Sequence, residues 1–294
     1  MPVVVKMVPH IVLPSALLYL TLAIASLAVS VGTRARPVSQ LRSAVNSWWM
    51  IFPAVSVSLL LFPLGPVLLM LVIGAFGVRE LRPYCGSRFG RFFLAGLAGL
   101  TALACYFPTA ALIVPACLLL AQGAHFLVRK TPGQLSLLLF LFMGFGISFI
   151  VQFMHLPMPP AQQLAWLFYL FVLTALNDIA QFVAGKTLGR HKIVERISPN
   201  KTWQGLAGGL LVCGAVSLAL GTHLALASAP RLLFIALLLS IGGFIGDILF
   251  SAAKRFLRIK DFSQLIPGHG GMLDRIDSLV VTAPLLYFTI QLTT

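Results

Sequence analysis

Residues 232–258 read LLFIALLLSIGGFIGDILFSAAKRFLR. Leu232–Ala253 carries a single charge, Asp247. A bilayer core about 30 Å thick takes roughly 20 helical residues to cross, so the segment is a membrane helix. A carboxylate near the centre of such a helix costs about 2.5–3.5 kcal/mol on insertion scales. Asp247 therefore needs a cation, a partner or a water-filled cavity. Asp247, Ser251, Lys254, Arg255 and Arg258 fall at i, i+4, i+7, i+8 and i+11, on one face of a continuing helix. One stripe then carries a carboxylate at membrane depth and cations nearer the aqueous side. A metal ion with phosphates is the ligand that uses both signs together.

The composition agrees. Of 294 residues, 59% are apolar and 10% charged, against roughly 25% charged in a soluble domain. So few charges cannot cover a water-soluble surface, which excludes a soluble enzyme, a secreted disulfide scaffold and a disordered chain. The 21 Lys and Arg against 7 acids give a net charge of +14. These cations sit in short clusters between long apolar runs, a pattern of membrane topology rather than of nucleic-acid binding. Cys85, Cys105, Cys117 and Cys213 show no CxxC or Cys/His spacing and read as packing residues.

Outward from the quoted helix, apolar segments recur. Ile11–Val31 is an uncharged run of 21, longer than the roughly 7–15 residues of a signal-peptide core. Trp48–Val78 is uncharged over 31 residues but holds Pro63, Gly65 and Pro66. As one helix it would be about 46 Å long, too long for the core. Two short passes or a re-entrant hairpin fit better. Phe92–Val128 repeats the plan around Pro108, and Gln134–Met154, Ala161–Ala184, Thr202–Ala227 and Leu279–Leu292 complete the set. The expectation is an all-α polytopic membrane protein of about nine to ten transmembrane helices, including short or broken hairpins. Residues 1–160 would be a lipid-facing scaffold, and 161–294 would carry the site.

Threading the loops tests that count. With Arg34 inside, the clusters at Arg79–Arg91, Arg129–Lys130, Lys186–Lys201 and Lys254–Arg275 all fall on the cytoplasmic side. Only Lys6 and Arg231 land outside, so 19 of 21 cations obey the positive-inside tendency. Both termini are then external.

Acids are too scarce here to be surface decoration. Glu80 lies among arginines and would pair with Arg79 or Arg82. The other six, Asp178, Glu195, Asp247, Asp261, Asp274 and Asp277, lie within one hundred residues. Asp178 is a second carboxylate inside an apolar helix. It is read either as a lock through Lys186, Arg190 or a backbone amide, or as part of a site. Asp274 and Asp277 share a helical face after the turn-rich Pro267-Gly268-His269-Gly270-Gly271, where backbone can approach a ligand closely. Hard oxygen ligands suit Mg²⁺, which takes substrate phosphates as further ligands, whereas zinc would want more His or Cys. The loop Gly185–Lys201 carries five cations that touch lipid headgroups, and Ser198-Pro199-Asn200-Lys201-Thr202 opens a helix whose N-terminus is a natural anion site. Gly185-Lys186-Thr187 is not a P-loop, because Ala180 stands at the first glycine and the segment follows a helix. Asn200-Lys201-Thr202 is a glycosylation sequon on the wrong side of the membrane.

Ser251-x-x-Lys254-Arg255, Lys260-Asp261-x-Ser263 and Pro267-x-His269-Gly270-Gly271-x-x-Asp274-Arg275-x-Asp277 resemble the signature of the phosphatidate cytidylyltransferase (CDP-diacylglycerol synthase) family. Asp178…Gly185…Gly189-Arg190 and Ile197-Ser198-Pro199-Asn200-Lys201-Thr202-Trp203-x-Gly205 look like that family too. The likeness is specific over about 175–280. Asn177 and Ile179 flank Asp178 where many members have threonine, Gln204 replaces a glutamate, and Ala253 replaces a larger residue. These departures leave open a divergent paralogue with another lipid acceptor.

The resemblance implies a Mg²⁺-dependent nucleotidyltransferase of phospholipid biosynthesis, joining CTP and phosphatidate into CDP-diacylglycerol and pyrophosphate. It implies a bacterial inner membrane, a cytoplasm-facing site, membrane lipids and no nucleic acid as partners, and it is compatible with a homodimer and a second cation. A phosphomonoester is already ionised near neutral pH, its second pKa being about 6, so no strong base is needed. Metal binding falls to Asp247 and Asp277, with Asp274 as a third candidate. Lys254, Arg255, Lys201 and Arg275 would hold CTP or lipid phosphate, and His269 would be a positioning donor. Asp261, Ser198 and Asn200 would contact the nucleotide or support residues that do. Thr202, Ser251, Gly270, Gly271 and Asp178 would line the substrate site. Two rivals stand beside this: a multi-spanning transporter, and a related CTP-dependent enzyme acting on an isoprenoid lipid. A transporter predicts ionisable residues spread along a pathway, whereas here the first 177 residues hold one acid.

Overall fold

The computed structural model of the chain describes residues 2–32, 40–85, 87–265 and 270–292. Ten helices account for nearly all of it: α1 (Pro2–Gly32), α2 (Gln40–Leu60), α3 (Leu64–Leu81), α4 (Ser87–Tyr106), α5 (Pro108–Val128), α6 (Pro132–Gln152), α7 (Pro160–Leu188), α8 (Trp203–His223), α9 (Ala229–Phe256) and α10 (Leu273–Gln291). Each corresponds to one expected apolar segment. Among the described residues, six are long and apolar enough to cross a bilayer: α3, α5, α6, α7, α8 and α9.

The breaks fall where the backbone demands them. Pro108, Pro132, Pro160 and Pro230 stand in the first turns of their helices, where a missing N–H costs nothing. The Trp48–Val78 run divides at residues 61–63 into α2 and α3, which fold back on each other. They are about 32 and 27 Å long at 1.5 Å per residue; α3 is long and apolar enough to cross a bilayer, whereas α2 is apolar only over Trp48–Leu60. At the α2–α3 corner a Cβ on Gly65 would collide with the Ser58 backbone, which glycine alone avoids. At the α4–α5 corner the Ala104 and Pro108 carbonyls are met by side chains at and just past the end of α6. His155 Nε2 lies 2.8 Å from the first, and Gln152 Nε2 donates to the second at 3.1 Å.

One continuous buried core runs through both halves of the chain, from Leu59 to Ile290. Lipid supplies no hydrophobic drive between membrane helices, so small residues and interhelical hydrogen bonds hold them. Around α7 these bonds are Tyr169 to Ser217 on α8 (2.5 Å), Ser240 on α9 to Asn177 (2.6 Å) and Thr174 with Thr282 on α10 (2.9 Å). Gly246 brings α9 and α10 into main-chain contact, for a Cβ there would run into the Asp277 carbonyl oxygen.

Basic clusters gather at one end of this bundle. Arg255 Nε donates to the Ile197 carbonyl at 3.1 Å, tying the 190–202 loop to the end of α9. Phe126 at the end of α5 packs edge-on against Phe256, with ring centroids 5.4 Å apart. The loops after α5, α7 and α9 therefore share a side, as the threading of charges requires. Arg34 and Arg36 lie outside the described residues.

Candidate active site

The site forms where α7, α9 and α10 meet. α10 begins at Leu273, six residues before the apolar segment expected from hydropathy. Its first two turns thus carry Asp274, Arg275 and Asp277 on a helix, as their spacing predicts. Asp277 is buried at 6% exposure, its Oδ1 accepting the adjacent Ser278 amide (2.9 Å), and it lines the same cavity as Asp247, in whose field it lies. Asp178 joins them through Ser278, whose hydroxyl donates to Asp178 Oδ1 at 2.9 Å and lies 3.3 Å from the Gly243 carbonyl. The lock expected for Asp178 through Lys186, Arg190 or a backbone amide is replaced by this bond from the Ser278 hydroxyl on α10.

Three carboxylates in one low-dielectric space repel each other unless cations answer them. Lys201 supplies one, forming an ion pair with Asp247 while its ammonium sits 5.4 Å from the Phe244 ring centroid. Burial works against the Lys201 charge, but Asp247, Asp178 and Asp277 outweigh it and hold its pKa above the ordinary lysine value. Arg275 lies in the field of the same carboxylates and of Asp274. Lys254 pairs with Asp274 at 2.6 Å, 13% and 7% exposed respectively. The other oxygen of Asp274 accepts the Phe262 amide (3.2 Å) and the Gly271 amide (2.9 Å). Gly270 has φ +80°, and a Cβ there would stand 2.7 Å from Asp274 Oδ2, so both the turn and the crowding call for glycine.

The remaining sequence candidates lie further out. Ser251 is buried on α9; Arg255, Asp261 and Asn200 are exposed, and Ser198 is half-buried in the loop before α8. Thr202 caps α8, its hydroxyl accepting the Gly205 amide at 3.1 Å. Thr202→Ala is expected to cost about 1 kcal/mol, a fall of about 2–4 °C in thermal midpoint in detergent that Thr202→Ser avoids. Gln204 Oε1 accepts the Arg190 and His191 amides at 3.1 and 3.2 Å. A glutamate would accept the same bonds, so this departure from the family pattern leaves the loop clasped. His269, with Pro267 and Gly268, lies outside the described residues.

Glu80 departs from expectation. It pairs with neither Arg79 nor Arg82 in this structure; its carboxylate accepts Ser263 Oγ (2.7 Å), the Met272 amide (2.7 Å) and the Leu273 amide (2.9 Å). Its isolation as the lone early acid was the signal available in the sequence.

The donor set suits a hard cation. Among the described residues no three His, Cys, Asp or Glu side chains gather at metal-binding distance. Asp247 and Asp277 form a pair with Asp178 beside it, and Mg²⁺ typically takes one or two carboxylates, leaving other positions to water and phosphate. Asp274 has both oxygens engaged. The carboxylates open onto a cavity of about 540 Å³ that continues between apolar walls, among them Tyr19, Trp48, Phe52, Phe76 and Phe171.

The chamber thus has a charged end and an apolar body. The profile of the cytidylyltransferase family matches residues 42–293. The chain belongs to the cytidylyltransferase family. Similar proteins include the uncharacterized protein YnbB of Escherichia coli, 41% identical over 180 residues, covering 59% of this chain and 60% of that one. Phosphatidate cytidylyltransferase of Bacillus subtilis is 42% identical over 134 residues (44% of this chain, 48% of the relative). That of Brucella suis is 44% identical over 119 residues (40% and 44%). The chain thus spans about half the length of the curated relatives it matches.

Proposed function

We propose that this cytidylyltransferase-family member transfers the cytidylyl group of CTP to phosphatidate, giving CDP-diacylglycerol and pyrophosphate. The site would face the cytoplasm from a bacterial inner membrane. The observation that carries the reading is the single chamber that joins the carboxylate–cation cluster to an apolar cavity reaching α1 and α2. A nucleotide is polar throughout and a phosphatidate is not; the two would meet where the chamber changes character.

Asp247 and Asp277 would hold Mg²⁺, which when bound neutralises phosphate charge and orients the nucleotide. The phosphate of the lipid, already ionised, attacks the α-phosphorus of CTP as the bond to pyrophosphate breaks. Lys201, Lys254 and Arg275 bear cations around that path and stabilise the charge spread over the phosphoryl oxygens. The apolar walls exclude water from the acyl side.

Purified protein given CTP, phosphatidate and Mg²⁺ is expected to release pyrophosphate and form a cytidylylated lipid in equal amounts, both abolished by EDTA. A parallel panel of acidic lipids, isoprenoid phosphates among them, identifies the acceptor. A folded sample that yields neither product with any of them overturns the reading. Solute flux in liposomes without lipid turnover would establish the transporter instead.

A further inference from the structure

Glu80 is 4% exposed at the end of α3, yet its partners lie 183–193 residues further on. Met272 and Leu273 are the cap and first residue of α10. Their amides have no partners within the helix, and the helix N-terminus carries partial positive charge, so a buried carboxylate satisfies both. The backbone passes so close that a Cβ on Gly271 would collide with the Glu80 carboxylate. The Gly271 amide in turn binds Asp274, and the turns that follow carry Arg275 and Asp277.

We propose that Glu80 is a positioning residue for the carboxylate–cation site. It touches no substrate; it fixes the main chain from which α10 starts and thereby the aim of Asp274, Arg275 and Asp277. It also ties that main chain to α3, whose Ile73 and Phe76 line the apolar cavity, so the headgroup and acyl ends of the chamber share one anchor. The catalytic consequence rests on the transferase reading above; the structural anchor does not.

The test is amide hydrogen exchange and steady-state kinetics on the full chain in detergent. In Glu80→Ala, exchange over 270–276 is expected to rise at least tenfold while α6–α8 stay unchanged. kcat falls about 100-fold with KM for CTP within threefold, and Glu80→Gln, which keeps an acceptor for Ser263 and Met272, recovers most of that loss. Gly271→Ala reproduces the defect alone but adds less than twofold in the Glu80→Ala background. Exchange rising evenly through the bundle, Glu80→Ala turning over within threefold of the parent, or fully additive losses in the double variant each overturn the proposal. If Glu80→Ala does not insert, Glu80→Gln is read by the same exchange criterion, with a smaller rise confined to 270–276. Exchange is measured without substrate, so a parent lacking transferase activity sinks the functional reading while the anchor is still judged.

Discussion

Asp277→Asn is expected to lower turnover about 10³-fold, equal to about 4 kcal/mol of transition-state stabilisation, with insertion and yield unchanged. The substitution keeps the volume, and its amide oxygen can still accept the Ser278 amide that Asp277 holds at 2.9 Å. Only the negative charge facing Asp247 is lost. Asp247→Asn should fall at least as far, because it also removes the partner of Lys201. Initial rates with saturating CTP and a Mg²⁺ titration measure both. A rate within threefold of the parent would take the substituted residue out of the chemistry.

Lys254→Met should destabilise the protein and inactivate it by separable routes. Removing one member of a buried ion pair costs about 3–5 kcal/mol, and the lower end applies here because two backbone amides remain on Asp274. The double variant Lys254→Met/Asp274→Asn leaves no stranded charge. It is expected to recover at least half of the lost stability and none of the activity, which stays down at least 100-fold. Thermal midpoints in detergent and initial rates read the two effects. Equal midpoints for the single and double variants would show that the stranded Asp274 charge is not what destabilises the single variant.

Much of the architecture was legible because bilayer thickness, proline and charge sidedness act on sequence locally. The ten apolar segments correspond to the ten helices, and Pro108 opens α5. The start of α10 was legible only in part: Asp274, Arg275 and Asp277 lower its hydropathy, yet they face protein rather than lipid. Residue types announced the site better than residue partners did. Asp178 and Asp247 were recognisable as carboxylates out of place, but nothing local tells Asp178 that Ser278 lies 2.9 Å away. Lys201 was read as a phosphate ligand, and it stands against Asp247. Glu80 shows the limit most clearly, since proximity along the chain pointed to arginines and the fold brought amides from far downstream.

Gly246 has a consequence for how such a protein drifts over time. At Gly246 the helices bearing Asp247 and Asp277 meet main chain to main chain, with no side chain between them at that point. Exchanges among the surrounding apolar residues repack the periphery and leave that calliper at the same opening. A lineage can therefore rewrite most of its lipid-facing surface and still hand down one unaltered measure.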